Sequence, residues 1–271
     1  MTLVSTDWLD KNINKVKIID ATWHLVKNRN AIEEFNKEHI ENAIFFDLDK
    51  NSNSKKDLPH GHFLPSLESH EKSMSKKGIQ NQDQIIIYCN SDLISSCRVW
   101  FQLLYFGHDP KLVSVLNGGL KKWKLENRKV TNKIINVTPS KYIGTENKNM
   151  VITKSQIDDN IKKKEFTVLD ARSKNRFLGL EPEPRAGIKS GSIERSKSLP
   201  LTTLINQEDN TFLDKHILRN IFNLNEINSY RIVMSCGSSV SAASLALAYS
   251  LINDDYTPKI YIGSWTEYGK K

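Results

Sequence analysis

Of the three cysteines in the chain, Cys89, Cys97 and Cys236, only Cys236 sits where a thiol is prepared for chemistry. It ends the apolar run RIVMSC (231–236) and opens CGSSVSA, a short loop of small residues that leads into a helical pattern. Backbone N–H groups and the positive end of a following helix favour negative charge at such a place. That lowers a thiol's pKa and raises its thiolate fraction at neutral pH. Gly237, Ser238, Ser239 and Ser241 let the backbone curl round the sulfur, and the serine hydroxyls can hydrogen-bond to it. The same residues equally fit a buried cysteine followed by a serine-rich helix cap, because free Cys is among the most buried residue types. Phosphatase chemistry uses a similar loop but needs an arginine about six residues beyond the nucleophile to clamp phosphate bidentately. That position holds Ala242 after Cys236 and Ser95 after Cys89.

A second segment with chemical potential is DARSKNRFLGLEPEPRAGIKSG (170–191). Arg172, Arg176 and Arg185 stand in it among Pro182, Pro184, Gly179 and Gly187, so the spacing predicts an ordered loop carrying forked guanidinium donors, which suit a carboxylate substrate. The alternative is surface arginine paired with Glu181 or Glu183. His60, His62 and His70 form the one conceivable metal cluster, but no acidic helix or CxxC pair accompanies it, and satisfied or exposed histidines are the expectation. Three cysteines without a CxxC also exclude a disulfide framework and a cysteine-based zinc site.

The elements that must position these residues occur twice. VKIIDATW (16–23) and FTVLDAR (166–172) are apolar strands ending in Asp-Ala; QIIIYC (84–89) and RIVMSC (231–236) are apolar strands ending in Cys. Asp20 to Cys89 spans 69 positions and Asp170 to Cys236 spans 66. A helical pattern follows each Cys, and then a third strand leads into Gly118-Gly119 or Gly263-Ser264. Ordered landmarks at nearly equal spacing indicate a tandem duplication. Strands that read as continuous apolar runs and alternate with helices indicate α/β units with mostly parallel sheets covered on both faces. Ligands bind beyond the carboxyl ends of such strands, where Cys89 and Cys236 both fall. The expected boundaries are a non-catalytic domain over 1–130, a polar linker over 131–148 and a catalytic domain over 149–271. Trp123 and Trp265 are expected in the core.

At 271 residues the chain is long enough for two cores, and 39 basic against 31 acidic residues leave a formal charge of +8. The basic residues are dispersed rather than clustered, which argues against a nucleic-acid footprint. No apolar stretch approaches the roughly 18 residues of a membrane span. The N-terminal residues show no leader pattern, so the expected location is cytoplasmic.

Taken together, RFLGLEPEPRAG (176–187), CGSSVSA (236–242), RVWFQLLYFGHDPKLVSVLNGGLKKW (98–123) and YIGSWTEYG (261–269) resemble the two-domain rhodanese-type sulfurtransferases, and within them the 3-mercaptopyruvate sulfurtransferases. The resemblance covers essentially the whole chain and implies tandem rhodanese-like domains and a persulfide relay. Cys236 matches the nucleophile and Ser238 the hydroxyl beside it; Arg176 and Arg185 match the arginines that hold the donor's carboxylate and carbonyl. Gly237, Ser239, Val240 and Ser241 complete the substrate-binding loop. HIENAIFFDLDK (39–50) nominates Asp49, and GHFLP (61–65) nominates His62, for proton transfer. The implied donor is 3-mercaptopyruvate, releasing pyruvate, and the implied acceptor is a thiol such as thioredoxin or a small thiol, or cyanide. No metal or organic cofactor, nucleic acid or membrane is implied. Thiosulfate as donor, or a non-catalytic sulfur-carrier module, are the rival readings. The chain departs from the family pattern at Ser239, where glycine is usual in CGSGVT; at GSIERS (191–196), where GHIPGA is usual; and at Cys89, where aspartate is usual.

Overall fold

In the computed structural model, residues 1–25, 28–55, 58–227 and 231–271 are described. The strands that read as unbroken apolar runs are buried along their whole length, as in IIIY at 85–88 and IVMS at 232–235, because helices cover both faces of a parallel sheet. Chain order begins with β1 (Leu3–Val4), α1 (Thr6–Asn12), β2 (Lys17–Asp20), α2 (Ala31–Lys37), β3 (His39–Ile40) and β4 (Ala43–Phe45). A hairpin of β5 (Asn53–Lys55) and β6 (Leu58–Phe63) comes next, then α3 (Leu67–Lys76), β7 (Ile85–Tyr88), α4 (Ser96–Tyr105), β8 (Val113–Leu116), α5 (Gly119–Leu125) and β9 (Val130–Thr131). The second half runs β10 (Val151–Ile152), α6 (Lys154–Lys163), β11 (Thr167–Asp170), α7 (Lys174–Leu178), β12 (Lys197–Ser198) and α8 (Lys215–Leu224). It ends with β13 (Ile232–Ser235), α9 (Val240–Ser250), β14 (Ile260–Tyr261) and α10 (Ser264–Tyr268).

One sheet has the order β1-β8-β7-β2-β4 and the other β10-β14-β13-β11-β12. All neighbours in both are parallel. Counted from the start of each sheet's own strands, the order is the same, so β7 and β13, which end just before Cys89 and Cys236, both occupy the central place. The tandem rhodanese-like α/β fold expected from the sequence is therefore present. In the first unit Ile18, Ile86, Leu116, Leu120 and Trp123 share one core cluster; in the second Val168, Val233, Tyr261 and Trp265 share another. Trp123 and Trp265 are both core residues. Helix α9 is buried almost all round, which is why it reads as apolar without a polar face.

The two compact units exchange short segments relative to the sequence halves. One comprises Met1–Ser52, Leu64–Asn147 and Asn206–Thr211; the other comprises Asn53–Phe63, Lys148–Ile205 and Phe212–Lys271. The β5–β6 hairpin thus belongs to the second unit although it lies in the first half of the chain. No periodicity in GHFLP says which core it joins. The polar stretch expected as a linker lies along the first unit instead of standing clear of it: Ser140 N–H donates to Ser75 O at 2.9 Å, Thr145 N–H to Phe106 O at 2.9 Å, and Tyr142 is buried.

Candidate active site

Cys236 follows β13 directly, and its loop is shaped from behind by the last turn of the chain. The Cys236 carbonyl accepts from Trp265 N–H at 2.9 Å, and the Gly237 carbonyl from Thr266 N–H at 2.9 Å and the Thr266 hydroxyl at 2.7 Å. The fully buried Ser264 hydroxyl accepts the N–H groups of Cys236 (3.3 Å) and Ser239 (3.1 Å) and donates to Tyr261 O at 2.9 Å. Tying these groups to α10 fixes the curve of the loop and leads it into the N-terminus of α9. Ser239, at the N-cap of α9, has φ +65°, the left-handed conformation for which the family's glycine is suited.

Both expected arginines converge on this loop. A Cβ built on Gly237 would lie 3.1 Å from Arg185 Nη1 and 3.2 Å from Arg176 Nη2, so both guanidinium groups close over the residue that follows Cys236. Arg185 also donates from Nη2 to Ser238 Oγ at 2.8 Å. Arg176 is carried by α7, which Ser173 caps by accepting Arg176 N–H, and which Gly179 ends in the left-handed conformation. The alternative reading of surface pairs is half present. Glu181 bonds Ser173 and Asn175, whereas Glu183 is buried, with its side chain 2% exposed, and binds Arg176 (Nη2–Oε2 2.6 Å) and Arg172 (Nη1–Oε1 2.7 Å). Arg172 is itself buried against Asp170, bonded to Gly191 O, and stacked 4.7 Å over the Trp265 ring. It anchors the loop.

His62 reaches the same place from β6, its ring Nδ1 2.9 Å from Ser238 Oγ, while its carbonyl accepts from Ser239 Oγ at 3.3 Å. Strand β6 packs beside α10 within the second unit. Asp49 lies in the first unit, where it accepts from Trp23 Nε1 at 3.0 Å. Ser239 and Val240, expected among the substrate-binding residues, are 0% and 2% exposed, and Ser239 bonds His62, Ser264 and Ala243. Ser238 and Ser241 are also buried, 3% and 8% exposed. Ser264 and Thr266 were not singled out from the sequence, and Glu183 was named there only as one of two carboxylates that could pair with the arginines. The only local signal was that YIGSWTEYG places Ser264 where the first half has Gly119.

The matching cysteine of the first unit is buried as Cys236 is, 5% against 2% exposed. Cys89 contacts Ser96 Oγ at 3.4 Å, and burial pushes its thiol pKa up against the hydrogen bonds from Ser96 and Ser91. Among the described residues no group of three or more His, Cys, Asp or Glu could hold a metal ion, and none of the three cysteines is in a disulfide; the His60 side chain lies outside the described residues.

A rhodanese-like domain family matches residues 5–126. The mitochondrial thiosulfate/3-mercaptopyruvate sulfurtransferase 1 of Arabidopsis thaliana is 35% identical, over 98% of this chain and 75% of its own. The 3-mercaptopyruvate sulfurtransferase of Homo sapiens is 33% identical, over 98% of this chain and 91% of its own. Among solved structures, Tum1 from Saccharomyces cerevisiae superposes with a TM-score of 0.87 at 26% identity, covering 99% of this chain and 94% of its own. SseA from Escherichia coli, described as a 3-mercaptopyruvate sulfotransferase, gives 0.86 at 27%, covering 98% and 99%. Fold and loop define the class, a protein of tandem rhodanese-like domains. More narrowly, the chain belongs to the thiosulfate/3-mercaptopyruvate sulfurtransferase family, and it is an enzyme that transfers sulfur. Among the described residues no helix is long and apolar enough to cross a membrane.

Proposed function

We propose that the donor is 3-mercaptopyruvate and that sulfur travels as a persulfide on Cys236 to a thiol, such as thioredoxin or a small thiol, or to cyanide. The observation that carries this reading is the pair of guanidinium groups of Arg176 and Arg185 closing over Gly237 beside an uncharged cysteine loop. Forked donors match a carboxylate and an adjacent carbonyl. The Cys236 thiolate attacks the donor's thiol sulfur; the S–S bond forms as the C3–S bond breaks, and the electron pair passes into the enolate of pyruvate. Arginine hydrogen bonds strengthen as that oxygen gains charge, so they stabilise the transition state more than the ground state. The thiol proton leaves by way of Ser238 and His62 and returns to C3 to give pyruvate. An acceptor thiolate or cyanide then attacks the outer sulfur and restores the Cys236 thiolate. The loop's own residues need no metal or organic cofactor for these steps. A cytoplasmic location remains part of this reading, supported by three unbridged cysteines in keeping with a reducing compartment.

Thiosulfate is the second reading, favoured by relatives such as the thiosulfate sulfurtransferase of Rattus norvegicus, 32% identical. Against it, Gly237, Ser238 and Ser239 carry no cationic side chain for a dianion. Pyruvate release and thiocyanate formation, measured with each donor, separate the two. Intact mass after donor treatment should show one added sulfur, about 32 Da, lost in Cys236→Ser and kept in Cys89→Ser and Cys97→Ser. Sulfur retained on the Cys236 variant, or no pyruvate from 3-mercaptopyruvate, would refute the proposal.

A further inference from the structure

Serine is a costly choice at φ +65°, where the side chain crowds the backbone and glycine is preferred. The usual reason for serine at a helix N-cap does not apply to Ser239, because its hydroxyl makes no capping hydrogen bond to α9. Nor does it offer surface to a donor, being fully buried. Its hydroxyl donates to the His62 carbonyl oxygen at 3.3 Å, while the preceding serine meets the ring of the same histidine at 2.9 Å. Two successive hydroxyls hold one residue, at its main chain and at its ring. The Ser239 N–H is tied to Ser264, so the point from which this hold acts is itself anchored.

We infer that Ser239 is a positioning residue that fastens β6 to the cysteine loop and thereby sets the approach of the His62 ring to Ser238. A glycine in this place, as in the usual family loop, would supply the same backbone turn without that link. The inference rests on the reading of His62 as a proton carrier.

Ser239→Gly removes the hydroxyl and relieves the left-handed strain, so the variant should fold and still take up sulfur on Cys236. With 3-mercaptopyruvate its kcat should fall roughly threefold to tenfold, the scale of one lost hydrogen bond, with KM nearly unchanged and a shifted pH profile of kcat. Ser239→Ala should fall by a similar factor. In a His62→Gln background Ser239→Gly should cost nothing further, because residues that act through one another are not additive. An equal loss in both backgrounds, a loss confined to the alanine variant, or no loss in Ser239→Gly overturns the inference. If instead His62→Gln alone leaves kcat and its pH profile unchanged, the proton route fails, and the role assigned to Ser239 fails with it.

Discussion

Glu183 does for the arginines what a bare loop cannot. Arginine side chains carry large rotamer entropy, and a buried carboxylate bonded to both Arg172 and Arg176 holds one of them in the direction of the cysteine loop before any donor arrives. Glu183→Gln keeps the shape but loses the charge on two charge-assisted bonds. That should cost about 1.5–3 kcal/mol, or roughly 10- to 100-fold in kcat/KM, measured by steady-state kinetics. Arg185→Lys keeps a charge but loses the fork that spans Gly237 and Ser238. Its loss in kcat/KM should also be roughly 10- to 100-fold and larger with 3-mercaptopyruvate than with thiosulfate, which has no carboxylate or carbonyl to align. Equal losses with both donors would make Arg185 a general anion attractor. The arginines were legible from their setting among prolines and glycines. Glu183 was not, because EPEP offers two glutamates in equivalent settings and only the fold buries one of them.

Among the elements, the turn after the last strand of each sheet is bonded to that unit's cysteine loop. In both units that turn donates an N–H to the Cys carbonyl, Leu120 to Cys89 at 3.0 Å and Trp265 to Cys236 at 2.9 Å. Both turns place a residue at positive φ, Gly119 at +54° and Ser264 at +49°. In the first unit a Cβ on Gly119 would stand 2.3 Å from Cys89 O; in the second, Ser264 fits and its hydroxyl gathers two loop N–H groups. Ser264→Gly, which copies the first unit, should leave the fold intact and slow sulfur loading of Cys236, followed by rapid-quench mass measurement. Unchanged loading would show that the bonds from Trp265 and Thr266 suffice to shape the loop. Gly119→Ala, by contrast, should lower stability by about 1–3 kcal/mol, through strained φ and the clash with a carbonyl, seen as a lower midpoint in urea.

For the whole molecule, buried histidines of the first unit tie stability to pH. His24, His70 and His108 of the first unit all have lowered pKa values, burial being the largest cause in each. His70 is the extreme, stacked on Phe106 at 4.1 Å, with no partner for Nε2 and a pKa held down at about 3. The unfolded chain takes up a proton near pH 6.5 that the folded chain refuses until about pH 3. Their stabilising contribution is therefore complete above pH 6.5 and lost progressively as pH falls below it. His70→Phe should flatten the fall of Tm between about pH 7 and pH 4, and an unchanged slope would exclude His70 as its source. What the amino-acid sequence determined by itself was local: strands buried on both faces read as apolar runs, the Cys236 loop read from its small residues, and the duplication read from spacing. The first two follow from interactions over a few neighbouring residues, and the third from the recurrence of such local patterns along the chain. Tertiary structure alone decided that β6 joins the second unit, that His62 meets a serine 176 positions away, and that Ser264 stitches the loop. Such contacts depend on which surfaces chain closure brings together, and no local pattern of polarity or turn residues encodes that meeting.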